Sequence, residues 1–509
     1  MTTDTIGRTA SASGGVTYQT VDDSYFEQRQ LKRHAGLFTL WMMGVGAVVA
    51  GEYSGWNIGL SQGGFGGMLA ATVIIGGMYV LLCSSIGEMS AALPHTGGAY
   101  SFSRTALGPW GGFTTGLAEN IEFVLAPGAN MFFMSSYLAA IFGTPAEFLP
   151  VWWVVGYAVM LGLSMRGLEL SMRVVTWITV AAILVLVFFY VVAIPHVDFV
   201  KYALNIGVGA DGAAVKLDDG GGSWLPFGFT GVMLALPFGV YMFLAVEQLP
   251  LTAEEAKNPT RDMPRALILS IVTLIALALG VLFFSAAIPN GSFAMGQSGE
   301  PLLDGFRTIF GDSWAKLLAS VAVLGLAASF FAGSFASGRN IYSLSRAGYL
   351  PTALSVTNAR TQTPNIALAA GSGFALAVLL VVWFLGGKDN VAFMGGFLVS
   401  MIVFAGMVSY ILQSIAYLRL KALYPNIARP FVSPFGRAGA VIVIAVCVLT
   451  LAYQFFDPLY RWAAVAAAAW YLTGLAYFAF YRRHRLVLSP EEEFAVSGGE
   501  RGRPVGETA

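Results

Sequence analysis

Four carboxylates stand among apolar neighbours: Glu52, Glu119, Glu122 and Glu247. Hydrocarbon does not solvate a carboxylate, so each must face protein, water or a bound solute. Glu119 and Glu122 are three residues apart and share one helix face, with Asn120 close by. One or both could receive the ammonium of a small cation, since a buried charge is tolerated when paired. Either could instead sit at a helix end, or against an arginine, and serve structure only. Two like charges this close cannot both stay ionised in a low dielectric, so Glu119, Glu122 and Glu247 are also candidate proton carriers. Ser334 and Ser337 could lend hydroxyls to a sodium ion, although serines in membrane helices more often pack or bond back to their own helix. His34, His95, His196 and His484 are scattered without metal-ligand spacing. Neither HExxH nor GxSxG occurs. No enzyme chemistry, metal or cofactor is expected.

The elements that hold these residues are membrane helices. Of 509 residues, 56% are hydrophobic and 11% charged, with mean hydropathy +0.70; soluble proteins carry about 25% charged residues. The zero net charge argues against a nucleic-acid partner. Cys83 and Cys447 lie in apolar runs and read as buried structural thiols. With the first thirty residues polar, no cleavable signal peptide is expected. A helix needs about 20 apolar residues to span a bilayer. That ruler gives twelve spans, near 36–60, 65–92, 108–142, 149–165, 170–195, 225–250, 266–288, 313–343, 366–386, 390–418, 438–456 and 459–481.

Basic residues fall 22 against 6 on alternate loops, which places both termini in the cytoplasm. Lys32, Arg33 and Arg104 lie on the rich side, and Lys201, Arg307 and Lys388 on the poor side. Loops 196–224 and 289–312 are then external. The polar tails, 1–30 and 486–509, read as disordered. Arg339 and Arg346 are expected in a cytoplasmic charge cluster with Glu88 or Glu255.

The first span is rich in glycine and polar residues: Gly44, Gly46, Gly51, Glu52, Ser54, Gly55, Asn57 and Gly59. Each glycine weakens a helix by about 1 kcal/mol relative to alanine. Close packing of small residues between helices is one reading; a discontinuous helix whose freed backbone meets a ligand is the other. Five spans later, Gly228, Gly231, Pro237 and Gly239 precede Tyr241. Interrupted helices at equivalent places in two halves point to an inverted-repeat transporter. The short polar tails offer no signalling domain, which argues against a transporter-like sensor.

Four motifs carry a resemblance. They are Met43-Gly-Val-Gly46; Ile86-Gly-Glu88 through Pro94-His-Thr-Gly97-Gly98-Ala-Tyr100 to Leu107-Gly-Pro-Trp-Gly-Gly-Phe113; Glu255-Ala-Lys257-Asn-Pro259-Thr-Arg261-Asp-Met-Pro264-Arg265; and Arg346-Ala-Gly348-Tyr-Leu-Pro351. In order over residues 36–485, they resemble the amino acid–polyamine–organocation (APC) superfamily. Within it, Gly51-Glu-Tyr-Ser-Gly-Trp-Asn-Ile-Gly-Leu60 and Leu117-Ala-Glu-Asn-Ile-Glu122-Phe-Val-Leu-Ala-Pro127 resemble the ethanolamine permeases.

The resemblance implies an all-α membrane protein of LeuT type, with twelve helices. Its inverted repeats would cover 34–200 and 221–425, with 436–482 peripheral and tails 1–33 and 483–509. The substrate site would lie between breaks at Gly44, Val45, Gly46 and Ala47 and at Tyr241, Met242, Phe243 and Ala245, facing Glu119, Asn120 and Glu122. Tyr241 falls where relatives place a gating aromatic, and Glu247 on a glutamate common in the superfamily. Some sodium-independent relatives carry a lysine in the fifth span; 174–193 has none, so the coupling ion stays open between H+ and Na+. The expected activity is import of a small cationic amine, ethanolamine first, across the plasma membrane. An amino acid permease of the same fold is the alternative.

Overall fold

Hydrocarbon offers backbone N–H and C=O groups no partner, and long uniformly apolar runs meet that demand as α-helices, whose backbone bonds close within each segment. The computed structural model describes residues 15–19, 21, 25, 35–93, 97–166, 168–361, 363–387, 391–457 and 460–497. Lys32, Arg33, His34, Pro94, His95, Thr96 and Lys388 lie outside the described residues, as does most of the N-terminal tail.

Among the described residues, eleven helices are long and apolar enough to cross a membrane. The first span is the exception because it is broken into α1 (Leu37–Val48) and α2 (Ala50–Tyr53). Then follow α3 (Ile58–Ala92), α4 (Gly98–Phe142), α5 (Leu149–Ser164), α6 (Leu168–Ala193) and α7 (Gly228–Tyr241). A 3-10 helix, Val246–Glu255, continues α7 after a gap. The second half holds α8 (Pro259–Ala286), the short α9 (Gly291–Gln297) and α10 (Pro301–Phe310), α11 (Asp312–Arg346), α12 (Asn365–Val382) and α13 (Val391–Leu423). Next come α14 (Gly436–Phe456), α15 (Arg461–Tyr477) and α16 (Pro490–Val496).

The core lies where α3 packs along α7 and where α4 packs against α11 and α13. α4 is two helical stretches joined across a kink at Gly108, whose φ is 79°, with Pro109 opening the second stretch and Pro127 within it. The two ends of the bundle differ. One, the loop face, carries α9, α10 and a hairpin, β2 (Ile206–Val208) paired antiparallel with β3 (Ala214–Lys216). The other, the tail face, carries β1 (Tyr18–Gln19) paired in parallel with β4 (Leu486–Val487), which brings an N-terminal and a C-terminal segment together there. The tail beyond 485 departs from the expected disorder. Residues 486–497 are ordered, and Glu491, Glu492 and Phe494 are buried.

Candidate functional site

The break in the first helix is made by a side chain from another helix. An uninterrupted α1 would bond the Ala50 N–H to the Gly46 carbonyl. Instead the Ser329 hydroxyl of α11 accepts from Ala50 N at 2.9 Å and donates to Gly46 O at 2.6 Å, standing between the two. Val49 ends α1, and after α2 the chain goes extended at Ser54 and turns through Gly55, whose φ is 90°. Asn57 holds that turn: its Oδ1 accepts from Gly55 N at 3.0 Å, and its Nδ2 donates to the Met295 and Ser298 carbonyls at 2.7 and 2.8 Å.

This corrects the sequence expectation. Gly44, Val45, Gly46 and Ala47 lie inside regular, buried helix. There the glycines let neighbours approach: a Cβ on Gly44 would strike Ser270 and Leu249, and one on Gly46 would strike Thr179. Close packing accounts for Gly44 and Gly46 being glycine, the Gly46 carbonyl is one of the groups the break frees, and the helix first ends at Val49.

The second break falls within the expected stretch. α7 ends at Tyr241, Met242 to Leu244 form a turn, and Ala245 has φ 82°. Ala245 is the one non-glycine with positive φ among the described residues. An alanine so held costs about 1–3 kcal/mol and persists only where its surroundings impose it. The two breaks touch. A Cβ on Gly51 would lie 2.5 Å from the Tyr241 carbonyl oxygen, so only glycine lets these backbones meet.

Tyr241 closes over the junction. Its ring lies on Gly55, its hydroxyl donates to Asn130 Oδ1 at 3.3 Å, and the Phe133 ring is 6.1 Å away. Phe243 packs by Tyr79 with ring centroids 5.7 Å apart, and Met242 Sδ lies 3.7 Å from the Thr72 hydroxyl, which donates to the Met68 carbonyl at 2.8 Å. Above Phe133, on the loop face, a vestibule of about 690 Å³ is lined by Phe132, Phe133, Ser136, Ser298, Glu300 and Gly395. Tyr137 ties its wall to the break, donating to Tyr53 O at 2.9 Å and accepting from Leu302 N at 3.2 Å. Burial, with Asp304 beside it, pushes the Glu300 carboxyl up to about 7, against the pull of Arg307.

The central acids gather below the breaks. Glu122 accepts from the Tyr410 hydroxyl at 3.1 Å, and Tyr410 meets the Tyr79 hydroxyl at 3.0 Å. Glu247 lies beside Glu122, and Glu119 is near both. Glu119 Oε2 accepts from Asn340 Nδ2 at 3.4 Å, and Asn120 Nδ2 donates to Asn340 Oδ1 at 3.4 Å. All three acids are buried, and among the described residues none forms an ion pair with lysine or arginine. The Glu247 carboxyl has the Glu122 carboxyl, the Tyr410 hydroxyl and the backbone at Ala245 and Glu247 beside it. Glu52 is also buried, without a donor among the described residues, but its charged and phenolic neighbours are Tyr53 and Tyr190, apart from the trio.

Ser334 and Ser337 are buried, and among the described residues their hydroxyls have no hydrogen-bond partner. Ser337 faces Gly371 of α12; the α11 serine that reaches α1 is Ser329. Arg339 pairs with Glu255 as expected, and Arg346 with Glu254 at 3.0 Å. Glu88 instead takes Lys421 and Arg429, both at 3.2 Å.

Residues 39–489 match the amino acid permease family. The chain belongs to that family. The permease is 23% identical over 472 residues to the branched-chain amino acid permease BcaP of Bacillus subtilis (strain 168), covering 90% of this chain and 95% of that one. It is 24% identical over 483 residues to the methylthioribose transporter of the same organism, covering 91% and 96%. It is 26% identical over 411 residues to the lysine-specific permease LysP of Lactococcus lactis subsp. cremoris, covering 75% and 76%. The permease is therefore a multi-pass membrane transporter of LeuT type and not an enzyme.

Proposed function

We propose that the permease is a secondary-active carrier of a small amino acid, working by alternating access with its tail face in the cytoplasm. The observation that carries this reading is the contact of the two broken helices at Gly51 and Tyr241, above carboxylates that meet no basic side chain among the described residues. A broken helix offers backbone N–H groups to a substrate carboxylate and backbone carbonyls to a cation. The substrate's ammonium would be received on the side of Glu119, Asn120, Glu122 and Glu247, with Met242 and Phe243 shaping the wall. Tyr241 would gate the path from the vestibule. The relatives' names favour amino acids over the amine that the sequence suggested first.

A second reading keeps that amine. The three central acids outnumber what one ammonium needs, and ethanolamine has no carboxylate to be repelled by them. In either case Glu122 and Glu247, side by side, would exchange a proton with each cycle, making the carrier a proton symporter. Uptake of labelled leucine, alanine, lysine and ethanolamine into proteoliposomes separates the readings. Accumulation of an amino acid under a pH gradient in sodium-free buffer is expected. Ethanolamine uptake that no amino acid competes would reverse the order of the two, and dependence on sodium would remove the proton.

A further inference from the structure

The C-terminal segment carries three consecutive acids, and the first two of them leave water entirely. Glu491 and Glu492, in α16, are both fully buried. Placing two carboxylates there is costly unless each is met by charge and hydrogen bonds, and the tail face supplies both. Glu492 accepts from Tyr18 and Tyr100 at 2.6 Å, from Tyr349 at 2.9 Å and from Arg104 Nε at 2.6 Å. Arg104 also donates to the Tyr18 hydroxyl at 2.6 Å. Glu491 pairs with Arg346, the last residue of α11.

These partners belong to elements that otherwise end separately. Tyr100 and Arg104 open α4, Arg346 ends α11 with Tyr349 in the turn after it, and Tyr18 belongs to β1, which is zipped to β4 just before α16. The Arg346 guanidinium that holds Glu491 also holds Glu254. Glu254 lies at the far end of the 3-10 helix that leaves the second break. A route from the breaks to the tail face has to part this helix from α4 and α11, the very elements the two glutamates join.

We propose that residues 486–497 are a latch that holds the tail face shut, and that Glu491 and Glu492 must leave their arginines before that face opens. Ser489 is a suitable reporter, because it is fully buried, its hydroxyl has no hydrogen-bond partner among the described residues, and cysteine is close to it in size. Cys83 and Cys447 are buried.

The test uses the full chain with Ser489→Cys, carrying Glu491→Gln, Glu492→Gln, both, or Glu492→Asp. Two quantities are measured in proteoliposomes: thiol labelling at position 489 and substrate exchange flux. Losing a hydrogen bond to a charged group weakens closure enough that the double glutamine variant should raise both by about tenfold. Glu492→Asp, which keeps the charge, should stay nearer the parent. Unchanged labelling would overturn the latch, as would raised labelling with unchanged flux. Failure of the double variant to fold would overturn it too, because a latch is dispensable to the fold. Only the flux arm rests on the transport reading. If the parent carries neither amino acid nor amine, that reading fails while the labelling arm still decides the latch.

Discussion

Two groups of buried and half-buried acids in this permease have opposite surroundings. At the tail face, Glu255 sits on Arg339, Glu254 and Glu491 share Arg346, Glu492 sits on Arg104, and Glu88 holds Lys421 and Arg429. At the centre, Glu119, Glu122 and Glu247 have tyrosine, asparagine and one another for company, and no cation pairs with them among the described residues. A paired buried acid is satisfied and serves closure. An unpaired one is an unmet demand for positive charge, which a substrate ammonium or a proton can fill. The same side chain therefore reads as gate or as site according to its neighbours, and the variants below separate the two groups.

The largest effect should come from breaking a tail-face pair. Arg339→Leu leaves the Glu255 carboxylate buried and alone, which costs about 3–5 kcal/mol. Thermal unfolding in detergent should show a large fall, and Arg339→Leu with Glu255→Leu should recover most of it. A double variant as unstable as the single would mean that the pair is not what holds this contact.

Gly51→Ala comes next. The added methyl meets the Tyr241 carbonyl, so the breaks must separate, and uptake should fall by about a hundredfold with the fold retained. Unimpaired uptake would show that the backbones need not touch during transport.

The central acids should behave in the opposite way to the tail-face ones. Glu119→Gln and Glu122→Gln remove a charge with no partner to strand, so unfolding temperature should hold or rise. Substrate affinity should fall by about tenfold, the effect of about 1.4 kcal/mol. Lost stability with unchanged affinity, measured by binding to the purified permease, would move these acids into the structural group.

The smallest effect is at the vestibule. The Glu300 carboxyl is raised from 4.5 to about 7, so it is neutral below that range and charged above it. A raised acid favours the folded state below its ordinary pKa and loses that contribution as pH climbs through about 7. Glu300→Gln should therefore gain stability over the parent at pH 8 and not at pH 4. Equal behaviour at both pH values would place Glu300 in ordinary solvent.

Much of this architecture was legible in the chain because hydropathy is local. Each predicted span has its helix, and the second break lies within Tyr241 to Ala245, after the run of Gly228, Gly231, Pro237 and Gly239. The first break was displaced because its cause is remote. Ser329 is almost three hundred residues away, and a serine in an apolar helix gives no sign of whose backbone it will enter. The polarity of Glu52, Ser54 and Asn57 was the nearer clue, since the chain turns there. The C-terminal segment was misread for a related reason. Three successive glutamates look like a solvated tail until Arg104 and Arg346 are found waiting for two of them.

The central claim is that unpaired acids below the helix breaks bind the substrate's ammonium. Its most direct test is to compare binding to the purified permease of an accepted amino acid and of the hydroxy acid that replaces its amine with a hydroxyl. The amino acid should bind and the hydroxy acid should not, and the difference should shrink in Glu122→Gln. Equal binding of the two by the parent protein would contradict the claim.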